Sequence, residues 1–261
     1  MRNLIHLLLI AVSMFAGSVF AAETGYVHAM SGDVTITQAG KASAKAKVGD
    51  LFEQGTSFTT GADGKAVIKF ADGQVIALAP NTNFVVSSYD YNAANVPSSN
   101  IVFSLVRGGM RFVTGLIGQT SPSKFAVRTP TLTAGVRGTD GTIAIGPKGE
   151  TLVTVKQGVV TITSAAGTVV INEGSFAFYP PGALTPSATG PLSAMPSEAQ
   201  ALILMVNELG SRDLPSPTPV DVIQAAKEAV DAQSAAGAPG APAPTPGPGG
   251  GGGGGTGTSP S

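Results

Sequence analysis

From Gly25 to about Pro180 the chain alternates apolar and polar residues in short runs closed by Gly, Asp-Gly or Pro-Asn, the period of half-buried β-strands. Val34 and Ile36 alternate with Thr35 and Thr37, and Ala66, Ile68 and Phe70 share one side before Asp72-Gly73. An Asp-Gly pair between alternating apolar residues predicts a hairpin into Val75 to Leu78. Leu51, Phe52 and Phe58 are core candidates. Later strands are predicted over Ile101 to Val106, Met110 to Val113, Ile143 to Ile145, Leu152 to Val155, Val159 to Ile162, Val169 to Ile171 and Phe176 to Phe178. Units of glycine followed by alternating apolar residues recur at Gly32, Gly64, Gly158 and Gly167, at irregular spacing, and favour a solenoid over a sandwich.

The densest stretch is Lys124 to Ile143. Phe125, Val127 and Thr129 share a strand face, Pro130 interrupts it, and Leu132, Ala134 and Val136 resume with shifted parity. Thr129, Pro130, Val136, Arg137, Gly138 and Thr139 are therefore read as a structural corner, with Gly138 supplying a backbone angle that other residues reach at a cost. Arg128 and Arg137 fall on the outward parity, and Arg107 and Arg111 flank a Gly108-Gly109 turn. These guanidinium groups either pair with Asp140 or Glu150, the favoured reading, or grip a carboxylate-bearing partner. The longest polar insertion, Ser87 to Ser99, holds Tyr89, Tyr91 and Asn92 as a candidate recognition loop; the alternative is a surface loop whose tyrosine packs on the sheet edge.

The stretch F-x-V-x-T-P followed by V-R-G-T, here Phe125, Val127, Thr129, Pro130 and Val136 to Thr139, resembles the FecR domain family. Gly55 to Gly61, Lys65 to Pro80, Leu105 to Val113 and Val153 to Ile162 resemble its other elements in the same order. The resemblance implies an all-β, β-solenoid-like domain outside the cytoplasm that senses or binds, often another protein. It also departs from the family's well-described members, which carry a cytoplasmic sigma-regulating segment before one membrane helix. Here the apolar run begins at Leu4, so signalling to a sigma factor is not expected.

Arg2, the apolar run Leu4 to Phe20 and small residues up to Ala21 predict a signal peptide over residues 1–21. The run is shorter than the ~20 residues of a spanning helix, so a cleaved leader is preferred to an anchor, and the protein is not expected to be an integral membrane protein. Fifteen Lys and Arg, one of them Arg2, stand against 16 Asp and Glu, and the chain has no cysteine. Nucleic-acid binding therefore has no electrostatic support, thiol chemistry and disulfides are excluded, and stability rests on a packed core. His28 is the one histidine after the leader, too little for a histidine metal site, and is read as an outward strand residue. Asp63-Gly64, Asp72-Gly73 and Asp140-Gly141 lack the second carboxylate of a calcium loop, so no cofactor is expected.

The boundaries that follow are a leader over 1–21, a FecR-like β domain over 22–181, a helical segment over 190–234 and a disordered Ala/Pro/Gly-rich tail over 235–261. Ser197 and Gln200 suggest a capping box before Leu202, Ile203, Met205, Val206 and Leu209. Pro219 suggests the first turn of a second helix with Ile223, Ala226 and Val230 on one stripe. These helices are expected to cover an open end of the β domain. The functional expectation is an exported, periplasmic or secreted binding or scaffold module that recognises an envelope protein or glycan and is not an enzyme. The alternative is a polysaccharide-acting β-helix enzyme with paired carboxylates. N-terminal sequencing of the exported form is expected to begin at Ala22; intact Met1 in a membrane pellet contradicts the leader.

Overall fold

The computed structural model describes residues 24–207 and 214–237. The leader, Leu209 and nearly all of the expected tail lie outside the described residues. The last helix runs to Gly237, past the expected boundary at 235.

The described chain is mostly β, with an open sheet and few helices. Its strands form one hydrogen-bonded sheet that folds over into two layers. Layer A runs, neighbour by neighbour, through β3 (Ala44–Lys45), β2 (Val34–Thr37), β5 (Ser57–Thr60) and β8 (Asn83–Asp90). It continues through the first half of β9 (Asn100–Val113), β10 (Phe125–Arg128), the first half of β11 (Thr133–Ile145), the second half of β12 (Thr151–Ser164) and β13 (Gly167–Asn172). Layer B runs through β4 (Leu51–Phe52), β1 (Gly25–Ser31), β6 (Lys65–Phe70) and β7 (Val75–Leu78). It continues through the other halves of β9, β11 and β12, then β14 (Ser175–Tyr179) and β15 (Ala188–Pro191). All pairings are antiparallel except β9 with β10. Strands follow nearly in chain order in each layer, because the chain swings from one to the other.

The alternation read from the sequence fills the space between the layers. Ile68, Phe70, Ile76 and Leu78 from layer B meet Phe58, Phe84, Phe103 and Val136 from layer A, all fully buried. Phe103 is a hub, with ring centroids 5.0 Å from Phe70, 5.1 Å from Phe84 and 5.5 Å from Phe125. Such aromatic pairs add ~0.5–1.5 kcal/mol each beyond area burial, a substitute for the disulfides this chain lacks.

The layers are joined where β9, β11 and β12 bend, at Gly108, Gly138 and Gly158, whose φ angles are +80°, +56° and +86°. Buried threonines fasten the bends. The Thr139 hydroxyl donates between the carbonyls of Arg137 (2.9 Å) and Val159 (3.0 Å), and the Thr139 amide donates to Thr114 Oγ1 at 2.9 Å. On the opposite edge of the sandwich Thr82 Oγ1 accepts from the Gly109 amide at 3.0 Å, while Thr60 Oγ1 accepts from the Thr82 amide at 2.8 Å and donates to the Ala79 carbonyl at 2.7 Å. Gly108-Gly109, expected as a turn, lies inside β9, because β9 does not reverse there but crosses between layers.

Among the described residues three α-helices accompany the sheet: α1 (Leu116–Thr120), α2 (Ser197–Asn207) and α3 (Val222–Gly237). The expectation that the C-terminal helices cap an end is corrected: they lie on the outer face of layer B. Ala199, Leu202 and Val206 pack on Ala79, Ala144, Leu152, Phe176 and Phe178, and Val206 occupies the space that a Cβ on Gly109 would need. Val222, Ala226 and Ala229 pack on Tyr26, with Leu51 and Ala71 beside them. Gln200 reaches back to the Met195 carbonyl (2.7 Å) instead of closing a capping box with Ser197, because that carbonyl lies within its reach. Asp221 caps α3 by accepting from the Ile223 and Gln224 amides, both at 3.0 Å. Its buried stripe is Val222, Ala226 and Ala229, and of the expected stripe Ile223 and Val230 face solvent. No described helix is long and apolar enough to cross a membrane.

Two bends separate backbone strain from crowding. A Cβ on Gly138 would meet nothing within 4 Å, whereas on Gly158 it would lie 2.3 Å from the Gly138 carbonyl oxygen. Gly138→Ala is expected to cost about 1 kcal/mol, the left-handed penalty alone, and Gly158→Ala clearly more. Urea denaturation of both variants checks the order; equal losses contradict it.

Candidate functional site

The signature residues occupy two places. Thr129 and Pro130 form the tip between β10 and β11, where Thr129 Oγ1 accepts from the Leu132 amide at 3.1 Å and the Thr129 amide donates to the Leu132 carbonyl at 2.8 Å. Beside the tip is a shallow hollow of about 310 Å³ between Thr129–Thr133 and Thr163–Ala165. Val136 is buried in the core, Arg137 is exposed, and Gly138 and Thr139 make the crossing from layer A to layer B.

No described helix lies on the outer face of layer A, whose side chains are short and uncharged over most of its width. Thr35, Thr37, Ser57, Thr59, Ser104 and Thr161 alternate with buried core residues along their strands. Arg128 and Arg137 stand exposed on it, and among the described residues neither makes an ion pair. Of the four arginines, the favoured pairing is found for Arg111 alone among the described residues. Asp140 is taken by Arg111, Nε to Oδ1 at 3.0 Å and Nη2 to Oδ2 at 2.9 Å, with Lys156 at 3.5 Å. The cause is the register of layer B: Arg111 and Asp140 project from adjacent strands to the same side. Such a fork-on-fork pair inside the fold is stronger than surface pairs, while Arg128 and Arg137 keep their donors free.

The tyrosine loop is built mostly inward. Tyr89 is 9% exposed, at the end of β8 and not in a loop, and its hydroxyl accepts from the Asp72 amide (2.9 Å) and donates to Asp72 Oδ1 (3.1 Å). Tyr91 packs against the core, with its ring 6.5 Å from Tyr89. Asn92 Oδ1 accepts from the amides of Ala94 (3.0 Å) and Asn95 (3.1 Å), so it shapes a turn. Tyr89 thus presents no free polar group, and the sheet-edge alternative describes its placement, whereas Asn92 is exposed with its side-chain NH2 unbonded among the described residues.

Asp72, read only as a hairpin residue, is the most buried carboxylate of the described chain. It is 0% exposed and also accepts from the Gln74 amide at 3.1 Å and the Ile117 amide at 3.4 Å. Its backbone carbonyl accepts from Leu116, and Gln74 Oε1 accepts from the Gly115 amide at 3.2 Å. The network ties the β6–β7 hairpin, β8 and the start of α1 together. Burial pushes the Asp72 carboxyl above its ordinary range, against the pull of its hydrogen bonds. Burial, and then Asp72 itself, push the Tyr89 hydroxyl far up.

Other carboxylates serve turns: Asp50 accepts from the Lys47 amide, Glu150 from Lys148, Glu173 from Gly158. Among the described residues no three histidine, aspartate or glutamate side chains gather as a metal site. His28 sits at a bulge of β1 with Nδ1 3.3 Å from the Tyr26 hydroxyl; burial and then Lys69 hold it below its usual value. Lys69, buried under the segment before α3, donates to the Ser216 carbonyl at 2.8 Å, and burial lowers its ammonium.

The family model described as FecR protein matches residues 56–161. Two crystal structures of a protein assigned as an anti-sigma factor from Parabacteroides distasonis ATCC 8503 are similar over 52% of this chain and 59% of theirs. Identities are 14% and 13%, with TM-scores of 0.42 and 0.43. The match spans little more than half the length of those chains. No protein of curated function matches the chain.

Asp72 gives a test with a definite sign. A carboxyl raised in the folded state holds its proton there more tightly than in the unfolded chain, so its contribution is greatest below the ordinary carboxylate pKa and is lost as pH rises through the folded value. Asp72→Asn removes that dependence. The stability of wild type minus that of the variant is expected to fall as pH is raised from 3 toward neutrality, measured by urea denaturation at each pH. A difference that is flat or rises with pH contradicts it.

Proposed function

From a chain that carries a FecR domain over residues 56–161, we infer an exported, non-catalytic binding module of the cell envelope whose partner is a protein. The partner face is the outer face of layer A, and Arg128 and Arg137 anchor carboxylates of the partner there. One observation carries this reading: these two exposed guanidinium groups have no ion-pair partner among the described residues, on the face that no described helix covers. Arginine presents a planar fork suited to carboxylates and is enriched where interfaces concentrate their energy. The opposite face is already buried under α2 and α3. The swing of the chain between layers in near chain order supports reading the scaffold as solenoid-like, a shape that offers an extended surface.

The purified exported form, immobilised and exposed to envelope extract, tests the reading against a double variant, Arg128→Glu with Arg137→Glu. At least tenfold less material is expected on the variant, with an unchanged thermal midpoint, since both side chains are exposed. Protease treatment of the extract should abolish retention. Retention that survives protease and is lost on glycan digestion assigns the face to an envelope glycan instead, and equal retention by the variant rejects the face.

A further inference from the structure

The two layers do not end together. Beyond β12, layer A adds β13 alone, whereas layer B adds β14 and then β15. Thr189 of β15 lies directly opposite Ala177, which is fully buried on the core side, so Thr189 and Pro191 point to the core side of layer B. Both are nonetheless exposed, because no described strand of layer A stands across from them. The free edge of β13 borders the same space. Its backbone pairs with β12, and among the described residues no backbone group bonds its other edge.

That edge lacks the usual protection. Natural sheets guard exposed edges with very short strands, proline or charge. β3 and β4 have two residues each and β15 ends in Pro191, but β13 reads Gly-Thr-Val-Val-Ile-Asn without proline or charge. Val170 is 55% exposed on it. Between Gly167 and Pro191 the only acidic or basic side chain is Glu173.

We propose that the ledge between the free edge of β13 and the core-facing side of β15 is a docking slot for a single extended, uncharged β-strand of a partner protein. Strands lie ~4.8 Å apart in a sheet, so one strand added to β13 stands over β15 and completes layer A. Its backbone bonds to β13, and its alternate side chains cover Thr189 and extend the row of Val169 and Ile171. A second copy of this chain does not fit: pairing β13 with β13 brings each copy's overhanging β15 into the space of the other's β14. The slot stands on the sheet edge and does not depend on Arg128 or Arg137.

The test uses the exported form with a synthetic peptide of alternating threonine and valine, and the same peptide interrupted by prolines. Amide hydrogen exchange over residues 167–172 is expected to slow at least tenfold with the alternating peptide and to be unchanged by the proline peptide. Thr189→Phe, at an exposed position, fills the slot and should abolish the protection while leaving exchange of the free protein unaltered. The double arginine variant should keep it. Absence of protection, or equal protection in Thr189→Phe, overturns the proposal. So does a concentration-dependent dimer by light scattering that is lost on Val170→Lys, which gives the edge to a second copy.

Discussion

Three strands must each leave one layer and enter the other without breaking, and the rest of the fold depends on that passage. A strand that turns through the edge of a sandwich needs a bulge or bend in its backbone. At Gly108, Gly138 and Gly158 the chain bends in the left-handed region. The bends would be soft if the polar groups they free were left to find water. Instead Thr139, Thr114, Thr82 and Thr60, all nearly inaccessible, take those amides and carbonyls in short hydrogen bonds. A buried donor or acceptor left unmade costs ~1–3 kcal/mol, so the threonines set where the strand can cross. The consequence reaches the surface: with the crossings fixed, Arg128 and Arg137 are held on one face and the helices on the other.

Much of this was readable from residue order. The period-2 runs place Ile68, Phe70, Val127, Ala134 and Val136 inside, where they are, and the Val136–Thr139 motif marks a corner where β11 does cross. Arg128 and Arg137 face outward as their parity predicts. What could not be read is anything set by register between distant strands. Gly108-Gly109 looks like a turn because a glycine pair usually is one, and only the partner strands reveal a crossing. Four arginines share the expectation of pairing with Asp140 or Glu150, and only the register of layer B picks out Arg111 for Asp140.

The tyrosine segment and Asp72 show the same limit. Polar, glycine-free and long, Ser87 to Ser99 has the composition of a display loop. Its first four residues instead extend β8, and Tyr89 turns inward because a buried carboxylate needs its hydroxyl. No sequence pattern announces that Asp72 is buried, since Asp-Gly turns are nearly always exposed. The α3 helix likewise buries Val222, Ala226 and Ala229 and not the stripe of Ile223, Ala226 and Val230, because which of its faces meets Tyr26 is set by docking on layer B.

If crossing strands bind the layers into one unit, then the two halves of a crossing strand cannot open separately. Native-state hydrogen exchange along β11 tests this directly, comparing amides of Thr133 to Val136 in layer A with those of Thr142 to Ile145 in layer B. The account predicts one common opening free energy for both groups, equal to that of global unfolding and lowered equally in Thr139→Val. Two distinct opening free energies, with one layer exchanging while the other stays closed, would contradict it.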